Sequence, residues 1–150
     1  MSKLLDICPA LDALFLYWSH PNWCDSAVSW EETSAAISRG GHNLQRLELL
    51  SQVNYKPEGS YLGSMQDASN LLDLTATSSI LFGLQYEHET IYNEVSRLTL
   101  ILPFSLQVLE VVQGDESDDA WHDQVLWTLM TDARFAAPGL IIVHRSRAFS

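Results

Sequence analysis

Basic residues are what this chain has least of: eight Lys and Arg stand against nineteen Asp and Glu, giving a net charge of −11. A body of that sign repels polyphosphate, which argues against direct binding of nucleic acid or of an anionic membrane and favours encounter with basic surfaces. Cysteine is almost as scarce. Cys8 and Cys24 show neither a Cys-x-x-Cys pair nor a Cys/His ligand spacing, so they read as reduced thiols without a metal or redox role. Long apolar runs are missing too. The best candidate, Leu98 to Val112, is interrupted by Pro103, Gln107 and Glu110 and falls short of the roughly 20 residues that span a bilayer. Asp6 and Pro9 interrupt what would be the apolar core of a secretory signal, so the expectation is a soluble, cytoplasmic protein. There is no Gly-x-Ser-x-Gly elbow and no Gly-rich phosphate loop ending in Lys-Ser/Thr, which removes the best-marked hydrolase and nucleotide-binding signatures. No low-complexity tract or internal repeat is evident.

What is present is apolar and aromatic: 47% of the 150 residues are hydrophobic, with five each of Trp, Tyr and Phe. A chain of this length forms one domain, 1–150, and buries about 70% of the surface its unfolded form exposes. The charge is unevenly spread. From Pro57 to Ala133 thirteen acids face one base, Arg97. The densest part is Gly114 to Asp123, where Asp115, Glu116, Asp118, Asp119 and Asp123 crowd around Trp121 and His122.

Apolar spacing predicts a predominantly α protein, a compact bundle of six or seven short helices. Leu4, Cys8, Leu11, Phe15 and Trp18 fall on one helical stripe, with the regular part starting near Cys8 because Pro9 suits a first turn. Ser29-Trp30-Glu31-Glu32 is a capping box for a helix over 30–39, closed by Gly40-Gly41. Asn43 then caps a helix carrying Leu44, Leu47, Leu50 and Val53. Ser64 opens another, with Ala68, Leu71, Leu72, Thr75, Ser79 and Phe82 on one side. Ile91, Val95, Leu98 and Leu102 continue with helical period, and Trp121, Val125, Leu129 and Ala133 mark a helix whose acidic start suits its dipole. Two segments are ambiguous. Leu98 to Val108 also alternates with period two, and Leu140-Ile141-Ile142-Val143 is β-branched, so a minor β-hairpin formed near 98–112 and 140–146 is the alternative there, although Pro103 favours helices with a break.

Candidate chemistry is thin. His122-Asp123 is the adjacent pair found in helical HD phosphohydrolases, but its metal partners would have to be His88 or His42 and Asp132, too close in the chain for that arrangement. Asp119-x-x-His122 has the spacing of a di-metal bundle, yet the second such pair is missing. Neither supports a metal or any other cofactor. Trp18 and Trp121 sit on core stripes, whereas Trp23 and Trp127 are available as contact anchors. The expected function is therefore non-enzymatic. The chain reads as a small acidic protein that binds and blocks a basic, nucleic-acid-binding surface of a partner protein, by analogy with phage anti-defence inhibitors (anti-CRISPR and anti-restriction proteins) and toxin-immunity proteins. Its contact residues would be Asp115, Glu116, Asp118, Asp119 and Asp123, joined by Glu87, Glu89 and Glu94. The alternatives are the metal-dependent HD-like phosphohydrolase and an acidic homodimer of the secretion-chaperone kind.

Overall fold

Leu47 and Leu49 are fully buried, while Glu48 between them and Leu50 beyond them are half-exposed. Alternation with period two belongs to an extended chain, because successive side chains of a strand point to opposite faces. The same pattern recurs at Leu74 and Ala76, at Leu109 and Val111, and more weakly at Leu14 and Leu16. The computed structural model describes residues 2–18, 30–51, 62–82, 102–112, 137 and 139–145. Over these, the chain is an α/β fold with the order α1 (Ser2–Ile7), β1 (Ala13–Trp18), α2 (Trp30–Gly40), β2 (Arg46–Ser51), β3 (Asp73–Thr77), α3 (Ser78–Phe82), β4 (Val108–Val112) and β5 (Ile141–Arg145). The five strands form one sheet in the order in which they occur, and every neighbouring pair is parallel.

The register turns this sheet into a repeat. Leu14, Leu47, Leu74, Leu109 and Ile142 lie side by side across all five strands, followed on the same face by Leu16, Leu49, Ala76, Val111 and His144. Three residues before the first row stand Leu11, Leu44, Leu71 and Leu106. Each donates its backbone N–H to the carbonyl three residues earlier, at Cys8, Gly41, Ala68 and Pro103, over 3.0–3.1 Å. Four segments thus share the spacing Leu-x-x-Leu-x-(Leu/Ala/Val), in which the first leucine closes a turn and the other two belong to the strand. The arrangement is similar to that of leucine-rich solenoids, in which each repeat gives one strand and the leucines stack into a continuous core. Here successive leucines at the first position are 33, 27 and 35 residues apart, mostly longer than the roughly 20–29 of the ordinary leucine-rich repeat. The fifth segment departs from the pattern. Gly139 stands where the others have leucine and takes φ +88°, a backbone conformation that a leucine would adopt only with strain.

Backbone and side-chain hydrogen bonds repeat with the leucines. The carbonyl of Asp12 accepts from the N–H groups of Gln45 and Arg46, that of Gln45 from Leu72 and Asp73, and that of Leu72 from Gln107 and Val108, all at 2.7–3.0 Å. The residue before the turn leucine adds a side-chain tie to the preceding repeat: Asn43 Nδ2 donates to Pro9 O at 2.7 Å, Asn70 Nδ2 to His42 O, and Ser105 Oγ to Leu71 O at 2.7 Å.

The leucines pack against a second layer. Ile37 of α2, Ile80 and Leu81 of α3, and Leu62, Met65 and Ala68 between them complete the core. Gly63 N–H donates to Ser34 Oγ at 2.9 Å, Ser38 Oγ to Ser64 O at 3.2 Å, and Leu62 N–H to Ile80 O at 3.0 Å, which ties α2, the 62–65 segment and α3 together in sequence. At the β1 end, Leu5 of α1 is buried against Gly40, where a Cβ would come within 2.8 Å of the leucine's own Cβ.

The helical bundle is therefore overturned for the described residues. The stripe over 4–18 is a one-turn-and-a-half helix followed by strand β1, the helix expected from Asn43 is a turn followed by β2, and the helix expected from Ser64 is turns, β3 and the short α3. Leucines three apart suggested helices, but that interval arises where a turn leucine precedes a strand. The hairpin alternative is corrected as well. Val108–Val112 and Ile141–Arg145 are neighbouring strands but run parallel, so these two strands do not form a hairpin with each other. The expectation that the chain lacks a repeat is likewise reversed. Helix α2 occurs where expected, one residue longer. Its closing glycines act through close packing: the Gly41 N–H donates to Ile37 O at 2.7 Å, and among the described residues the one glycine with positive φ is Gly139. The helix expected from Gln85 to about Leu102 lies outside the described residues except for Leu102, which is in a bend, and the one expected over 115–133 lies wholly outside them.

Adjacent leucines separate the two architectures. Leu49→Ala should lose about 2–5 kcal/mol in urea unfolding, as a large-to-small change at a fully buried site, and Leu50→Ala clearly less. A helix with Leu44, Leu47 and Leu50 on its core side gives the opposite ranking.

Candidate binding face

Because one face of the sheet carries the leucines, the alternate residues form the other face, and the register arranges them in rows. The first row is Ala13, Arg46, Asp73, Val108 and Ile141, and the second is Phe15, Glu48, Thr75, Glu110 and Val143. A third row contains Tyr17 and Leu50, then Thr77, Val112 and Arg145. Sheets with all strands parallel are ordinarily covered on both sides. Here the second side is open at both edges. Phe15 is 57% exposed and Tyr17 52% on β1, and Ile141 is 60% and Val143 41% on β5. Thr77 and Val112, at the ends of the central strands, are fully buried, so the accessible area comprises the first two rows and the two edges.

Between the apolar edges lies a polar centre whose charges are mostly neutralised internally. Arg46 Nε lies 3.4 Å from Asp73 Oδ2. Glu110 is held on both oxygens, Oε1 by Arg145 Nε at 3.1 Å and Oε2 by the Thr75 hydroxyl at 3.2 Å. These are pairs between adjacent strands on one face, where cross-strand partners come within reach. They orient the side chains more than they stabilise the fold, because each retains substantial contact with water.

Among the described residues no three of His, Cys, Asp and Glu come together in a way that could hold a metal. His42 lies exposed in the turn before β2, with its carbonyl accepting from Asn70. No helix among the described residues is long and apolar enough to cross a membrane. Cys8 is a free, exposed thiol.

The contact residues expected from sequence, Asp115, Glu116, Asp118, Asp119, Asp123, Glu87, Glu89 and Glu94, all lie outside the described residues, as do His88, His122, Asp132, Trp23, Trp121 and Trp127. The open face was missed, though its signal was present. Leu44-Gln45-Arg46-Leu47-Glu48-Leu49 and Leu106-Gln107-Val108-Leu109-Glu110-Val111 are nearly the same hexapeptide, and aligning them places Glu48 and Glu110 in the same row.

The fold and this face together define a class, a parallel-sheet repeat scaffold with a core side and an open side. No family model matches the chain, and neither any curated protein nor any solved structure matches it.

Replacing Glu110 and Arg145 singly and together should give a coupling of about 0.2–1 kcal/mol in urea unfolding, the range for exposed ion pairs, decreasing with salt. A coupling above about 3 kcal/mol would mean that the pair is buried rather than part of an open face.

Proposed function

We propose that this chain is a non-catalytic recognition domain whose open sheet face binds another protein. The observation that carries this reading is the uncovered face itself. A parallel sheet keeps large apolar side chains, Phe15, Tyr17, Ile141 and Val143, in water on strands fixed within a five-stranded sheet. Exposed apolar groups rimming a polar, internally paired centre are the composition of a protein interface, and solenoids present extended surfaces of this kind for binding. The absence of a metal cluster among the described residues adds nothing to this reading; the positive argument is the face.

The charge of the chain gives the partner its sign. A protein of net charge −11 meets cationic surfaces faster and repels anionic ones, so the partner is a protein with a basic contact surface. A second reading is favoured by the thirteen acids against one base between Pro57 and Ala133. In it the carboxylates from Asp115 to Asp123 make the main contact, standing in for phosphate on a nucleic-acid-binding partner.

Two variants separate the readings, each compared with the parent chain in affinity capture from the native host and then in titration with the captured partner. The first carries Thr75→Arg and Val143→Arg on the open face; the second carries Asp115, Asp118, Asp119 and Asp123 as Asn and Glu116 as Gln. Binding through the sheet predicts about a tenfold or greater loss, roughly 1.4 kcal/mol or more, for the first variant with an unchanged far-ultraviolet spectrum, and a smaller, salt-sensitive loss for the second. Full affinity in the first variant and none in the second would transfer the interface to the acidic stretch.

A further inference from the structure

Five charged residues stand on the open face, and four of them are paired: Arg46 with Asp73, and Glu110 with Arg145. The fifth, Glu48, has no cation or hydrogen-bond donor among the described residues. Its register neighbours are Phe15 on β1 and Thr75 on β3. Thr75 is turned towards Glu110, to which its hydroxyl donates at 3.2 Å. Arg46, two residues before Glu48 on the same face, reaches across to Asp73 instead. On the β1 side, the carboxylate adjoins an aromatic surface that is largely in water, with Phe15 directly beside Glu48 and Tyr17 beside Leu50. Neighbouring strands lie about 4.8 Å apart and same-face residues of one strand about 6.6 Å apart, so one extended side chain from outside can touch Glu48 and Phe15 together.

We propose that the binding partner presents an arginine side chain to this β1–β2 corner, with its guanidinium paired to Glu48 and its plane lying on the Phe15 ring beside Tyr17. This rests on the reading of the open face as the recognition surface and specifies what that surface selects. Charge complementarity fixes the sign, since an unpaired carboxylate within a chain of net charge −11 rejects phosphate and carboxylate ligands. The neighbouring rings fix the kind of cation. A planar, weakly hydrated guanidinium stacks on an aromatic face while still offering a donor edge to a carboxylate, and a compact ammonium does this less well.

The test uses the full chain labelled with 15N and titrated with N-acetyl-arginine amide or with N-acetyl-citrulline amide, the neutral isostere. Arginine should produce saturable amide shifts centred on Phe15, Tyr17, Glu48 and Leu50 in the millimolar range, and citrulline should not. Glu48→Gln and Phe15→Leu should each weaken the arginine response about threefold to tenfold with the rest of the spectrum unchanged. Equal responses to arginine and citrulline, an undiminished response in Glu48→Gln, or no shifts on β1 and β2 would each overturn the assignment. Shifts confined to β4 and β5 would also overturn it while leaving the open face as the recognition surface, which the Thr75→Arg and Val143→Arg variant decides separately.

Discussion

The row of Leu14, Leu47, Leu74 and Leu109, continued by Ile142, is the constraint on which the rest of the structure depends. Three of its members are completely buried, and each fully buried leucine contributes about 1.5–3 kcal/mol relative to exposure. A leucine on one strand cannot bury itself alone. It needs the strand on either side and the layer formed by α2, the 62–65 segment and α3, so the repeats are stable only as a stack. The carbonyls of Asp12, Gln45 and Leu72, each accepting two N–H groups from the next repeat, then fix the stacking register. A slip by one residue would turn every leucine to the open face and every charged residue into the core.

That register also creates the surface. With one side of each strand committed mainly to leucine, the other side carries other residues: Phe15, Glu48, Thr75, Glu110 and Val143 occupy a single row with four side-chain types. Internal pairing of Arg46 with Asp73 and of Arg145 with Glu110 holds the polar centre in place, while the aromatic and β-branched edges stay accessible. The core side is specified mainly by leucine, with Ala76, Val111, Ile142 and His144 completing its rows, while the open side carries charged, hydroxyl, aromatic and β-branched side chains together.

Some of this was readable from the residues. Helix α2 carried its own punctuation, a capping box before Trp30 and paired glycines after Arg39, and local signals of that kind survive without tertiary context. The β-branched run at Ile141 and the alternation leading into Val108 leave strand and helix both open, and Pro103 tips the second towards helix; both are strands, whose parallel pairing depends on a connection that local pattern does not specify. The larger error came from the leucines themselves. Leu44, Leu47 and Leu50 satisfy a helical interval, and nothing local distinguishes an interval of three within a helix from one that spans a turn and the start of a strand. The distinction is between segments: Asn43-Leu44-x-x-Leu47-x-Leu49, Asn70-Leu71-x-x-Leu74-x-Ala76 and Ser105-Leu106-x-x-Leu109-x-Val111 are copies of one pattern. Their unequal spacing of 27 and 35 residues hides the copies from any search for a fixed period. The densest acidic stretch, Asp115 to Asp123, is conspicuous by composition but lies outside the described residues, so the register of the sheet does not bear on it.

The most direct test is nuclear Overhauser contact between leucine methyl groups in a chain labelled only at those methyls. The stacked repeat predicts strong contacts between Leu47 and Leu74 and between Leu74 and Leu109, residues on three consecutive strands. Contacts from Leu47 to Leu44 and Leu50 without any to Leu74 would restore a helix at β2 and contradict the stacked parallel sheet, and with it the open face.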